Sequence, residues 1–170
     1  MPKFLLDLDD YNKSIIANQP HSKTRLTEAY SVNGNIEMTV RQSIDLQTQE
    51  IISNQLIIES LFKTDLKIIH EITQEDFKNL MEEFGLVLYR TVRAFSSNVK
   101  IDIYDRSYYG SKTDLAILTI SYPNNLSLHD AEIFLKDTHS LDIKLLDDVT
   151  NNAKYTNYKL AYLNKINQGK

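Results

Sequence analysis

The middle of the chain opens with extended runs, and the clearest of them alternates apolar and polar positions with a period of two, the mark of a strand that buries one face. Two such runs, Arg25–Val32 and Asn35–Leu46, flank Asn33–Gly34. Asn-Gly between extended runs predicts a tight hairpin, because a type I′ turn needs positive φ at both central positions. In the second run Ile36, Met38, Val40, Ile44 and Leu46 share a face, with Glu37, Thr39, Arg41 and Asp45 between them. This spacing predicts a half-buried strand with solvent on its polar side. Ile51–Phe62, rich in Ile and Leu, and Leu66–Ile72 make a third and a fourth run, so the middle of the chain reads as an antiparallel meander.

The period then changes. Thr73 before Gln74, Glu75 and Asp76 is a hydroxyl N-cap with acids at the positive end of a helix dipole. Phe77, Leu80, Met81 and Phe84 follow at helical spacing up to Gly85. Leu88, Val92 and Phe95 predict a second helix over Leu86–Ser97, with Arg90 and Arg93 beside it. Strands are expected at Val99–Tyr104 and Leu115–Tyr122, and helices at Leu128–Lys136 and Tyr155–Ile166. Leu141–Val149 fits neither period. Phe4–Ala17 reads as an extended edge segment, closed at Asn18-Gln19-Pro20. The fold class is α+β, an antiparallel meander sheet with helices on one face. The whole chain, 1–170, forms one domain: a meander-plus-helix part to residue 100 and an added strand, helix and basic helix over 101–170.

Composition narrows the function. The chain has 170 residues, 42% hydrophobic and 25% charged, which suits a globular fold. No run of 18 apolar residues suggests a span, and no basic segment precedes the apolar start, so a cytoplasmic protein is expected. Without cysteine there is no disulfide framework, zinc ribbon or thiol nucleophile. A net charge of −4 does not favour duplex DNA or anionic lipid, although Lys154, Lys159, Lys165 and Lys170 make the tail basic. With only 4 glycines, Gly-rich phosphate loops are not expected.

The stretch IEMTVRQSIDLQTQEIISNQLIIESLFKTDLKII, followed by TQEDFKNLMEEFGLVLYRTVRAF, resembles the SecB-like fold of cytosolic export chaperones. There a meander feeds a short capped helix and then a longer one carrying an apolar-Leu-Phe/Tyr-Pro-Tyr-x-Arg pattern. This sequence has Val87-Leu88-Tyr89, then Arg90-Thr91 in place of Pro-Tyr, then Val92-Arg93. The resemblance implies a holdase or dedicated binder with an apolar groove, assembling as a dimer or tetramer through positions such as Met38 or Ile44.

Catalytic centres are weakly written. Leu6-Asp7-Leu8-Asp9 looks like the first motif of haloacid-dehalogenase-type phosphatases, with Asp147–Asp148 as a distal acidic pair for magnesium. Tyr11 stands where Thr is usual, and the alternating meander is foreign to a parallel core. His129 and Glu132 lie one helical turn apart, but two ligands do not make a metal site. Ser60-x-x-Lys63 has the letters of a nucleophile motif in a predicted strand, where it carries no such role. No catalytic residue, metal or cofactor is therefore assigned.

The expected function is non-enzymatic protein binding, to an unfolded client or one dedicated partner. Its candidate contacts are Phe62, Tyr89 and Arg93, then Tyr104, Tyr108 and Tyr109 around a polar loop, and Tyr155, Tyr158 and Tyr162 on one helix face. Tyrosine suits interfaces because one end is apolar and the other accepts water. Two alternatives stand beside it. One is an accessory factor of a phage or mobile element that blocks a host defence or nuclease complex. The other is the magnesium-dependent phosphatase.

Overall fold

A computed structural model of the chain describes residues 1–63, 65–104 and 114–168. Its framework is a nine-stranded sheet in the order β5-β4-β3-β2-β6-β7-β8-β1-β9, in which every neighbouring pair is antiparallel. The strands are β1 (Lys3–Leu6), β2 (Ser22–Asn33), β3 (Ile36–Asp45), β4 (Ile51–Ser60) and β5 (Lys67–Glu71). They continue with β6 (Leu86–Ala94), β7 (Val99–Tyr104), β8 (Leu115–Ile120) and β9 (Leu145–Asp148). Four helices accompany them: α1 (Asp10–Asn18), α2 (Gln74–Phe84), α3 (Leu128–His139) and α4 (Asn157–Gln168). The α+β antiparallel expectation holds, but the helices do not all lie on one face: α4 packs on the side opposite α1, α2 and α3.

The meander forms where alternation predicts it, with one shift. The β2–β3 loop is Gly34–Asn35, since Asn33 already pairs with Ile36. Of these two residues only Gly34 has positive φ, +59°, which fits a type II′ turn with Gly at its first central position. Helix α2 begins as expected: the Thr73 hydroxyl accepts from the Asp76 amide at 3.1 Å and donates to the Asp76 carboxylate at 2.8 Å. Gly85 ends it in the left-handed region at φ 70°.

Two expectations about individual elements fail. Leu86–Ala94 is strand β6, paired with β2 and β7, not a helix. Its Val87, Tyr89, Thr91 and Val92 are β-branched or aromatic and favour a pleated surface over a helical one. The long helix on which the SecB-like resemblance rests is thus absent at its motif. Phe4–Ala17 is likewise no edge segment: β1 sits inside the sheet between β8 and β9, and Asp9 then caps α1 through a 2.8 Å bond from the Asn12 amide. The antiparallel setting of β1 also removes the haloacid-dehalogenase reading. Asp7 follows a strand bracketed by antiparallel partners, and Asp9 is spent as a helix cap.

The sheet has two unlike faces. On one, α1 and α3 cover Phe4, Leu6, Val99, Ile101, Leu118 and Ile120, all within 2% of full burial. On the same face α2 lays Phe77 against Ala29 and Val40. The opposite face is concave. Lys67 of β5 and Lys3 of β1, the first and eighth strands in the sheet order, line one cavity, so the sheet curls nearly back on itself. Helix α4 fills part of that hollow, packing Leu160 and Ala161 on Tyr30, Leu88, Tyr104 and Ile117. None of the described helices is long and apolar enough to cross a membrane.

Candidate functional site

The rest of the concave face is charged. Strand registers place Glu28 of β2 opposite Arg41 of β3, and Leu26 opposite Arg90 of β6, on the face shared with Asp102 and Lys100 of β7. Glu28 is fully buried and takes four bonds. Arg90 Nε and Nη2 each donate to it at 3.1 Å, Arg41 Nε donates at 2.6 Å, and the Tyr30 hydroxyl donates at 2.8 Å. Arg90 Nη1 turns the other way and donates to Asp102. The planar guanidinium grips Glu28 with two donors and serves Asp102 with a third, a bidentate geometry that a lysine's point charge lacks.

Electrostatics follow from this clamp. Burial alone would raise the Glu28 carboxyl, but Arg90 and Arg41, with their hydrogen bonds, hold it below 4.5. Burial pulls against the charge of Arg90, and Glu28 with Asp102 more than restores it. Tyr30 is pushed well above its ordinary value by burial and by the Glu28 charge. Glu28 and Arg90 therefore stay charged and Tyr30 stays neutral, and together they form the floor of the hollow.

Above that floor lie two cavities that share Lys3, Arg41, Lys67 and Asn157. The larger, about 450 Å³, is lined by five cations from five strands: Lys3, Arg41, Lys67, Arg90 and Lys100. Asp102 is the one carboxylate among its described lining residues. The smaller, about 280 Å³, adds Glu37 and Glu59. These two acids stand directly opposite each other on β3 and β4. Lys67 Nζ pairs with Glu59 at 2.7 Å, whereas Glu37 is raised above its ordinary value by burial and then by Glu59 and Glu28. Lys3 Nζ makes no ion pair with a described residue. Burial lowers its pKa against the pull of Asp102, and Lys100 and Arg90 lower it further. The channel is thus polarised, cationic along most of its length and acidic at one end.

The residues expected to bind a partner do not converge here. Phe62 is exposed at the turn after β4. Tyr89 lies on the other face of β6, beside a groove with Arg25 and Thr91. Arg93 shares that face, and its buried Nε has no hydrogen-bond partner among the described residues. Tyr104 is buried on the concave side, where its hydroxyl donates to Asn157 Oδ1 at 2.9 Å. Tyr155 and Tyr158 pack against the α4 core, and Tyr162 is half-exposed under Lys159 Nζ. Tyr108 and Tyr109 lie outside the described residues. The Ser60 hydroxyl accepts from the Lys63 amide at 3.0 Å and serves as a turn cap. Glu132 is engaged by the Leu145 amide at 2.9 Å, and no group of three potential metal ligands stands together among the described residues.

Glu37, Arg41 and Lys100 occupy the polar half of alternating strands, a half that reads as solvent-facing in the sequence. A signal was present in β6, where Arg90 shares a face with Leu88 and Val92. A charge on an otherwise apolar strand face needs a buried partner or a ligand.

The sequence matches no family model and no curated protein. Its fold does match solved structures. The hypothetical protein NE1496 superposes with a TM-score of 0.57 at 17% identity, covering 94% of this chain and 95% of that one. A structure of the inorganic triphosphatase NE1496 gives 0.56 at 17% identity, covering 94% and 91%. PH1012 protein from Pyrococcus horikoshii OT3 gives 0.50 at 11% identity, covering 94% and 99%. The expected non-enzymatic, chaperone-like binder is overturned by this neighbourhood: the chain shares its fold with a structure named as an enzyme, and its concave face is charged where a holdase would be apolar.

Proposed function

We propose that this protein binds and hydrolyses a linear inorganic phosphoanion of the triphosphate type in the concave channel. The observation that carries the reading is the convergence of Lys3, Arg41, Lys67, Arg90 and Lys100, from five separate strands, on one cavity. Although Arg41, Arg90 and Lys67 have carboxylate partners, five cations face one carboxylate among the described lining residues, and that excess of positive charge suits a polyanion. The fold shared with an inorganic triphosphatase supports the same substrate class.

The chemistry is chiefly charge stabilisation. Phosphoryl transfer asks for little covalent help and depends on positioning and on neutralising the equatorial and leaving oxygens. Arg41 and Arg90, pre-set by Glu28 and Asp102, face the phosphate chain without moving, and fixed donors need no reorganisation in the transition state. Lys3 supplies charge held in no ion pair with a described residue, and Lys100 stands 3.9 Å from Asp102, a looser pair than those of Arg41 and Arg90. A water oxygen bonds to the terminal phosphorus while the bridging P–O bond breaks, giving orthophosphate and diphosphate. Glu37 is the carboxylate suited to take that water's proton, because its raised pKa brings it nearer neutrality. Glu28, clamped by four bonds, is not. A divalent ion carried in on the phosphate oxygens would add charge neutralisation there. The described residues offer no cage of their own for one.

Orthophosphate release from tripolyphosphate tests the proposal. Turnover is expected in the wild type, with a fall of roughly 10- to 100-fold in kcat/KM for Lys3→Gln, the loss of one charge-assisted contact. No release from tripolyphosphate with magnesium or manganese present would overturn hydrolysis.

A further inference from the structure

Strand β5 ends the sheet, and all five of its residues, Lys67-Ile68-Ile69-His70-Glu71, are exposed. Ile68 and Ile69 point to opposite faces and are each more than half exposed. Edge strands of this kind offer a row of unpaired backbone groups to another chain. We infer that β5 is a homodimer interface, in which two copies continue the sheet by antiparallel pairing about a two-fold axis through Ile69.

The backbone pattern selects this register. The Ser60 amide donates to the Leu66 carbonyl at 3.0 Å, and the Ile72 amide donates to the Asn54 carbonyl at 2.9 Å. Because hydrogen-bonded pairs in an antiparallel ladder recur every second residue, the even-numbered residues from 66 to 72 bond to β4. The N–H and C=O groups of Lys67, Ile69 and Glu71 therefore point away from the sheet. A two-fold axis through Ile69 brings those same residues together: Ile69 faces Ile69 of the second copy, and Lys67 faces Glu71 of the second copy. Every outward N–H meets an outward C=O. On the other face Leu66 falls opposite Ile72, and Ile68 opposite His70. The strand is thus self-complementary in backbone, in charge and in apolar contact, as a two-fold interface requires. A one-residue slip would set β4-facing groups against outward ones and lose both charge pairs.

Lys67 also lines the channel, so the Glu71→Lys arm, at a residue outside that lining, separates this inference from the phosphoanion reading. Light scattering on the full chain across a concentration series tests it. The wild type is expected at twice the 19.7 kDa chain mass. Glu71→Lys sets lysine against Lys67 of the second copy and should weaken the dimer roughly tenfold or more, as should Lys67→Glu by setting two acids together. An equimolar mixture of the two variants restores both opposite-charge pairs and should recover the dimer. Ile69→Pro removes an amide that no group of the same chain uses, so a folded monomer is expected, checked by circular dichroism. A wild type that stays at one chain mass would overturn the inference. So would a dimer indifferent to Glu71→Lys, or a mixture that does not reassociate.

Discussion

The two faces of the sheet are built from the same strands by the same alternation, yet they solve different problems. The convex face carries Phe4, Val99, Ile101, Leu118 and Ile120, and three helices exclude water from it. The concave face carries Glu28, Arg41, Arg90 and Asp102, which satisfy one another, and α4 covers part of it. Stability is concentrated on the first face, and the proposed function sits on the second. A buried ion network contributes little net stability over an apolar replacement, though breaking it is expensive. Its persistence here fits a surface kept charged for a ligand.

Substitutions can break that contrast in order of expected size. Phe4→Ala on the convex face should destabilise by about 3–5 kcal/mol in chemical denaturation, by lost transfer energy and a cavity between α3 and the sheet. Glu28→Gln on the concave face should cost about 3 kcal/mol, because Arg90 and Arg41 are left with too little negative charge. The same variant should change the acid limb. The folded pKa of Glu28 lies below 4.5, so its stabilisation is complete above 4.5 and is lost as pH falls through the folded value. Removing the carboxylate removes that loss. Glu37 has the opposite sign: its folded pKa is raised, so the folded chain gains from protonating it as pH falls toward 4.5. Denaturation midpoints between pH 3 and 6 would separate the two.

Smaller effects sharpen the comparison at the ligand. Because the Lys3 pKa is lowered from 10.5, tripolyphosphate affinity should decline at a pH below 10.5 as Lys3 loses its charge. Lys3→Arg should keep affinity through that range, since guanidinium stays charged. Affinity that is flat with pH in the wild type would place Lys3 outside the binding contacts. Smallest of all, Gly34→Ala at φ +59° should cost about 1 kcal/mol with the channel untouched, measured by thermal unfolding.

Much of the scaffold was legible in the chain. The Thr73 cap, the Gly85 stop, the meander and the strands at Val99 and Leu115 are local signals, and local chemistry decides them. Leu86–Ala94 was not legible as a strand, because Leu88, Val92 and Phe95 satisfy a helical period by coincidence while pairing with β2 and β7 supplies the tertiary reason for extension. The channel was hidden for a different reason. Glu37, Arg41 and Lys100 look like ordinary solvent-facing positions until the sheet's curl turns that side inward. Curl is a property of all the strands together, and no window of the sequence contains it. Tyrosine-rich segments drew attention instead, but Tyr89 and Tyr155 fall on opposite faces.

The most direct test is calorimetric titration of the wild type and the Lys3→Gln/Lys100→Gln double variant with tripolyphosphate at about 0.15 M salt, where weak surface attraction is screened. The account predicts saturable binding of one tripolyphosphate per chain, at least tenfold tighter than orthophosphate, and largely abolished in a double variant that remains folded. Equal affinity for both ligands, or binding unchanged by the two lysine substitutions, would contradict it.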